Sequence, residues 1–291
     1  MERFRGRSFL IIPFLLVFGG LTLGPTLILV ITSFFTRTPL GGIEQTLTLE
    51  SYKTLFDPLY LKVLGATLGL AFLNTFFCLI FAFPMAFYLS RLNARRRNIW
   101  LVFILIPFWT SFLVRILAFM EVLRLDIWGF DIMYSQIAIV GCLVYNYLPF
   151  AILPLFSTLE KIPNSLFEAA RDLGASRWQV FSRVLWPLSR SGIMTASLLV
   201  FIPSMGEFLI PEIVGGGRTF LLGTFLQNQF LSARNWPLGA AAITLLLVLT
   251  GLFLGVVAVL GRYNQVQKKR ALEDEGRLKP LQLDRPHMVK V

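Results

Sequence analysis

The chain has 291 residues, of which 56% are hydrophobic and 15% charged, and its mean hydropathy is +0.70. A soluble domain carries about 25% charged and roughly 45–50% apolar residues, so this composition excludes an ordinary soluble enzyme. Disorder is excluded too, because 28 phenylalanines supply ample surface to bury. Lys and Arg number 27 against 16 Asp and Glu, a net charge of +11 that must be explained by where it sits.

Six apolar segments predict an all-α, polytopic membrane protein. They run over residues 9–34, 64–89, 99–120, 134–156, 191–213 and 239–262. About 20 apolar residues cross a bilayer as a helix, and a continuous helix satisfies its own backbone groups there. The first segment has a basic start at Arg3, Arg5 and Arg7. Its apolar run is too long for a signal peptide and no small-residue cleavage pattern follows, so an uncleaved span is expected. Cys78 and Cys142 both fall inside apolar runs, which supports neither a disulfide framework nor a thiolate metal site.

The charge sorts by side of the membrane. The N-terminus, the 90–98 and 157–190 connections and the segment from Arg262 onward hold 20 of the 27 basic residues. The cluster Arg91, Arg95, Arg96 and Arg97 is the sharpest anchor. Cytoplasmic loops carry the Lys and Arg excess, so both termini and the 157–190 loop are expected in the cytoplasm. Nucleic acid then has no claim on the charge. The expected organisation is a cytoplasmic N-terminus (1–8), a six-helix domain (9–262) and a cytoplasmic tail (263–291). The lone His287 lies in that tail, which leaves nothing for a histidine-based active site.

The loop over 158–190 carries the most information. Ser165 with Glu168, and Ser176 with Gln179, each have capping-box spacing, and Gly174 lies between them as a helix stop. The pattern predicts a helix from Ser165, a turn at Gly174 and a second helix to about Pro187. Leu166, Phe167, Ala170 and Leu173 can share one side of the first helix, and Trp178, Phe181 and Leu185 one side of the second. Such a hairpin could lie on the membrane surface or dock into a groove on a cytoplasmic partner.

The run Glu168-Ala169-Ala170, then Gly174 after three residues, then Val184 after nine more and Pro187, resembles the EAA loop of binding-protein-dependent ABC importer permeases. The family pattern has Ile and Leu where this chain has Val184 and Trp186, and both changes stay apolar. Two further stretches, 202–216 and 234–241, resemble spermidine/putrescine permeases. Relatives for ferric iron, sulfate or thiamine share the loop, so the substrate rests on those two stretches. The resemblance implies a type I importer fold in a bacterial inner membrane. It implies that Glu168, Ala169, Ala170, Gly174 and Pro187 belong to a coupling element seated on an ATPase. Expected partners are a homologous second permease, an ATPase dimer and a periplasmic or extracellular substrate-binding protein. The chain has no Gly-x-x-x-x-Gly-Lys-Ser/Thr loop, so it is expected to hold no cofactor and to leave ATP and Mg to the ATPase.

Arg115 and Glu207 fall within the third and fifth segments. Each such charge costs on the order of 2.5–3.5 kcal/mol to insert and faces a bundle interior or an aqueous path. They could pair with each other, or Glu207 could attract a cationic substrate; the two roles are compatible. Tyr145, Asn146, Tyr147 and Asn74 are further candidates for the path, against the ordinary role of polar residues as interhelical hydrogen-bonding groups. Glu44, Glu50, Asp57, Glu121, Asp126, Asp131 and Glu212 lie on the outer side, where a binding protein would dock. Rival readings are an ion-driven carrier, which would show matched repeat halves with broken spans, and a non-transporting scaffold.

Overall fold

The computed structural model describes residues 13, 15–39, 41–125, 132–255 and 259. Arg3, Arg5, Arg7, Asp126, Asp131, His287 and the expected boundaries at 8/9 and 262/263 lie outside the described residues. Residues up to Ala241 form one compact unit and those from Ala242 a second.

Helix α1 (Leu15–Thr32) is followed by a two-residue hairpin, β1 (Thr36–Arg37) with β2 (Ile43–Glu44), and by α2 (Glu50–Leu55). Helix α3 (Pro58–Ser90) starts with proline in its first turn, where a missing N–H costs nothing. It is longer than the predicted 64–89. Next come α4 (Ala94–Leu105), a 3-10 turn (Ile106–Trp109) and α5 (Phe112–Arg124), then α6 (Gln136–Leu159). Ser135 caps α6 by accepting from the Ala138 N–H at 3.1 Å. The loop over 158–190 folds as α7 (Ser165–Asp172) and the start of α8 (Arg177–Met205). Short helices α9 (Leu209–Ile213) and α10 (Leu222–Gln227) precede α11 (Trp236–Gly255). Among the described residues, five helices are long and apolar enough to cross a membrane, or six if α4 and α5 form one bent span.

The core is built by α3, α6 and α8. Their contact faces carry small side chains, which lets backbones approach where lipid removes the usual hydrophobic drive. Cys78, Ala82 and Ala86 repeat every four residues along α3, and all are fully buried. Cys142 and Ala151 on α6 and Ala196 on α8 are fully buried as well. At Gly192 of α8 a Cβ would lie 2.7 Å from Thr158 Oγ1 and 2.8 Å from Thr158 Cβ on α6. Gly192→Val should therefore push α8 off α6 at a cost of about 1–3 kcal/mol. A lowered thermal midpoint of the solubilised protein would register it.

Three expectations need correction. The third span is not continuous: α4 and α5 meet at a 99° bend. Pro107 supplies no N–H to continue α4, and Thr110, in extended conformation, turns its hydroxyl back to the Pro107 carbonyl at 2.7 Å. The fifth span ends at Met205, so Glu207 sits in a break before α9 and not inside a helix. The second loop helix does not stop at Pro187 but runs through it into the fifth span. A π turn over Phe181–Leu185 makes that possible, since the wider turn relieves the clash of a proline ring with the preceding carbonyls.

Candidate functional site

Two places carry the predicted functional residues. The first is the α7–α8 hairpin. Helix α7 ends in a Schellman turn: Gly174 has φ +79°, its N–H donates to Arg171 O at 2.8 Å, and the Ala175 N–H donates to Ala170 O at 3.0 Å. Ser176 and Gln179 form the predicted capping box, with both reciprocal hydrogen bonds present (2.8 and 3.3 Å). The other predicted box is absent. Asn164, not Ser165, holds the N-cap position of α7, and its side chain accepts a hydrogen bond from Arg91 instead of capping the helix.

The hairpin has an anchored side and a free side. Phe167 is buried and meets Phe87 of α3 edge-on, with ring centroids 6.2 Å apart; Phe181 meets Phe83 at 5.8 Å. Glu168 and Ala169 are exposed, and Ala170 is half-buried under the turn. The predicted apolar groupings split here. Phe167 and Ala170 face inward, while Leu166 turns out and Leu173 is 89% exposed. On α8, Leu185 is buried but Trp178 is 72% exposed, its ring stacked on Phe181 at 5.4 Å. A leucine and a tryptophan held outward on a capped, rigid turn are what a partner groove would grip. Pro187 lies past the hairpin in α8, half-buried.

The second place is the break at Glu207. Its Oε1 accepts from the N–H groups of Leu209 (3.0 Å) and Ile210 (3.4 Å), which fixes the carboxylate at the start of α9. Its Oε2 accepts from the Tyr147 hydroxyl of α6 at 2.9 Å. Helix α10 packs directly on this backbone: a Cβ at Gly223 would lie 2.6 Å from Glu207 O. The Glu207–Arg115 ion pair, one of the two readings of these charges, does not form. An aromatic series stands between the two charges. Tyr147 meets Phe150 at 6.0 Å, Phe150 meets Phe108 at 4.9 Å, and the Arg115 guanidinium lies over Phe108 at 5.3 Å and Phe112 at 5.5 Å. The bend between α4 and α5 puts Phe108 where it can separate the two charges.

Of the other path candidates, Asn74 is fully buried and donates to Ser204 Oγ of α8 at 2.8 Å, the ordinary interhelical hydrogen bond. Asn146 is buried, its amide donating to the Cys142 carbonyl at 2.9 Å while its Oδ1 has no partner. Tyr145 stacks on Phe119 at 5.9 Å and borders an apolar groove with Leu73 and Phe77. It is Tyr147, two residues on and about 200° around the helix, that reaches Glu207.

Residues 78–265 match the family described as the binding-protein-dependent transport system inner membrane component. The spermidine/putrescine transport system permease protein PotB of Escherichia coli K12 is 38% identical over 243 residues, covering 79% of this chain and 88% of that protein. The chain belongs to this permease family. The PotB of Haemophilus influenzae is 37% identical over 80% of this chain and 86% of its own length. The fold is that of a chain in a bacterial alginate ABC transporter, with TM-score 0.65, 19% identity, and 89% and 97% of the two chains covered.

This permease is thus a multi-span membrane protein whose relatives are non-catalytic transport subunits. Of the three polar residues that the sequence sets together in the fourth span, Tyr147 is the one that meets Glu207. Tyr145 and Asn146 directly precede it in a stretch of helix that is otherwise apolar, so no hydrophobic periodicity marked which of the three faced Glu207.

Proposed function

We propose that this permease is a membrane subunit of an ATP-driven importer of polyamines such as putrescine and spermidine. The 38% identity to PotB across most of both chains carries the reading. The break at Glu207 supports it chemically. A carboxylate beside Tyr147 and backed by Phe150 offers an ammonium group both a counter-charge and ring faces, which attract cations through their quadrupole. The hairpin tip, with exposed Leu173, Trp178 and Glu168, docks on a cytoplasmic ATPase that binds ATP and Mg. ATP-driven closure of two ATPase copies moves α8, because the hairpin's second helix and the fifth span are one continuous rod. A homologous second permease completes the pathway, and a binding protein delivers substrate from outside. The basic excess of the inner segments supports cytoplasmic termini.

Reconstitution with the ATPase and binding protein in proteoliposomes tests this. ATP-dependent accumulation of labelled putrescine or spermidine is expected. ATP hydrolysis stimulated only by another substrate, such as sulfate or ferric iron, would reassign the cargo. Uptake driven by an ion gradient without ATP would remove the importer reading altogether.

A further inference from the structure

We infer that Arg91 is the joint that makes the coupling hairpin move as one body with the cytoplasmic ends of two transmembrane helices. The inference rests on the hairpin's role in the proposed function and names how its motion is passed on.

Arg91 follows the last residue of α3. Its guanidinium reaches across to α6 and α7. One nitrogen, Nη1, donates to the Ile162 carbonyl at 3.0 Å and to Asn164 Oδ1; Nη2 donates to the Leu159 carbonyl at 3.3 Å. Leu159 closes α6, so its carbonyl has no intrahelical partner; it accepts from the Ile162 N–H at 3.2 Å and from Arg91, and a cation there also complements the helix dipole. Asn164 is the N-cap position of α7. The guanidinium carbon lies 5.3 Å from the Phe87 ring centroid and 4.8 Å from that of Phe167, so the cation is in contact with one ring from α3 and one from the hairpin. Burial lowers the Arg91 pKa, yet a guanidinium stays protonated. One side chain thereby ties the end of α3, the end of α6 and the first hairpin helix.

The neighbouring cluster shows that this is selective. Arg97 pairs with Glu160 in the same turn and lies over Phe156, whereas Arg95 and Arg96 are exposed. Topology needs only the positive charge, which any of the four supplies. The turn over 160–164 is gripped by the two arginines that point inward. A planar fork with several fixed donors suits three acceptors on two elements, and an ammonium does not.

The test uses the assembled permease–ATPase complex in proteoliposomes, measuring uptake per ATP hydrolysed. Arg91→Lys keeps the charge, and with it membrane insertion, while Arg91→Gln removes it. In both, the ATPase should remain bound and hydrolyse ATP, while uptake per ATP falls about tenfold, the scale of one or two charged hydrogen bonds. Should Arg91→Gln fail to insert, Arg91→Lys alone decides. An unchanged ratio overturns the joint, and so does a loss of uptake matched by loss of bound ATPase, which would mean that Arg91 only maintains the docking surface. Spin labels at D172C and Y88C give a second readout. Their separation should be the same with and without ATP in the parent and should broaden with ATP in Arg91→Lys; identical behaviour in the two would also overturn the joint. These outcomes are separate from the docking role itself, which Leu173→Asp tests with Arg91 intact.

Discussion

Leu173→Asp should detach the ATPase and reduce uptake by about one to two orders of magnitude, the cost of losing an interface hot spot worth roughly 2 kcal/mol or more. At 89% exposure, Leu173 has little to lose in the free permease, so the fold and membrane insertion should be unaffected. In a docked complex the same side chain would be desolvated, and a carboxylate there would be buried without a partner. Co-purification of the ATPase with the variant, followed by uptake, measures the effect; undiminished binding and transport would remove the hairpin from the interface. Gly174 makes a useful contrast. A Cβ at this position would meet nothing within 4 Å, so the penalty for Gly174→Ala is the left-handed backbone alone, about 1–2 kcal/mol. That substitution should loosen the turn and weaken coupling less than Leu173→Asp does.

The hairpin was legible in the sequence because its determinants are local. A capping pair three residues apart and a glycine that ends a helix act within one or two turns, and the Ser176–Gln179 box and the Gly174 turn both form. The failed box shows the limit. Ser165 and Glu168 have the right spacing, but the chain turns one residue earlier, where Asn164 is held by Arg91 from 73 positions away. The same limit hid the broken third span. Pro84, Pro149 and Pro154 all lie inside continuous helices, while Pro107 opens a 3-10 turn and a sharp bend. In a membrane bundle, neighbouring helices can re-satisfy the groups that a proline frees, so the residue alone does not say whether a helix ends. The arginine cluster stands out in the sequence only as charge, and a charge count cannot separate Arg91 and Arg97, which bind a turn, from Arg95 and Arg96, which meet solvent. The Glu207–Arg115 pairing failed for a related reason. Opposite charges in two spans suggest each other, but the backbone break gave Glu207 two N–H donors and Tyr147, and Phe108 and Phe112 gave Arg115 its faces.

Glu207→Gln isolates the charge at that break. The amide oxygen can keep accepting from the Leu209 and Ile210 N–H groups, and it differs little from the carboxylate in size, so α9 should keep its start. What disappears is the negative charge. A unit charge pair at 4 Å contributes about 4 kcal/mol at an effective dielectric of 20, before the cost of drying both groups. After that cost, a loss of roughly one to three kcal/mol is expected, or about ten- to a hundredfold in uptake of a dication at low concentration. Tyr147→Phe should do less, because it removes one donor and leaves the carboxylate charged with its two backbone donors in place. The ordering is the informative part. If Glu207 serves only to start α9, Gln should transport normally and Ala should unfold the break; if it meets the substrate, Gln should fail while the helix and the thermal midpoint stay unchanged. Labelled putrescine uptake over a range of concentrations, paired with thermal unfolding of the same variants, separates these outcomes. A Gln variant with parental affinity and rate would take Glu207 off the path and leave the aromatic face of Tyr147 and Phe150 without the counter-charge that a polyamine requires.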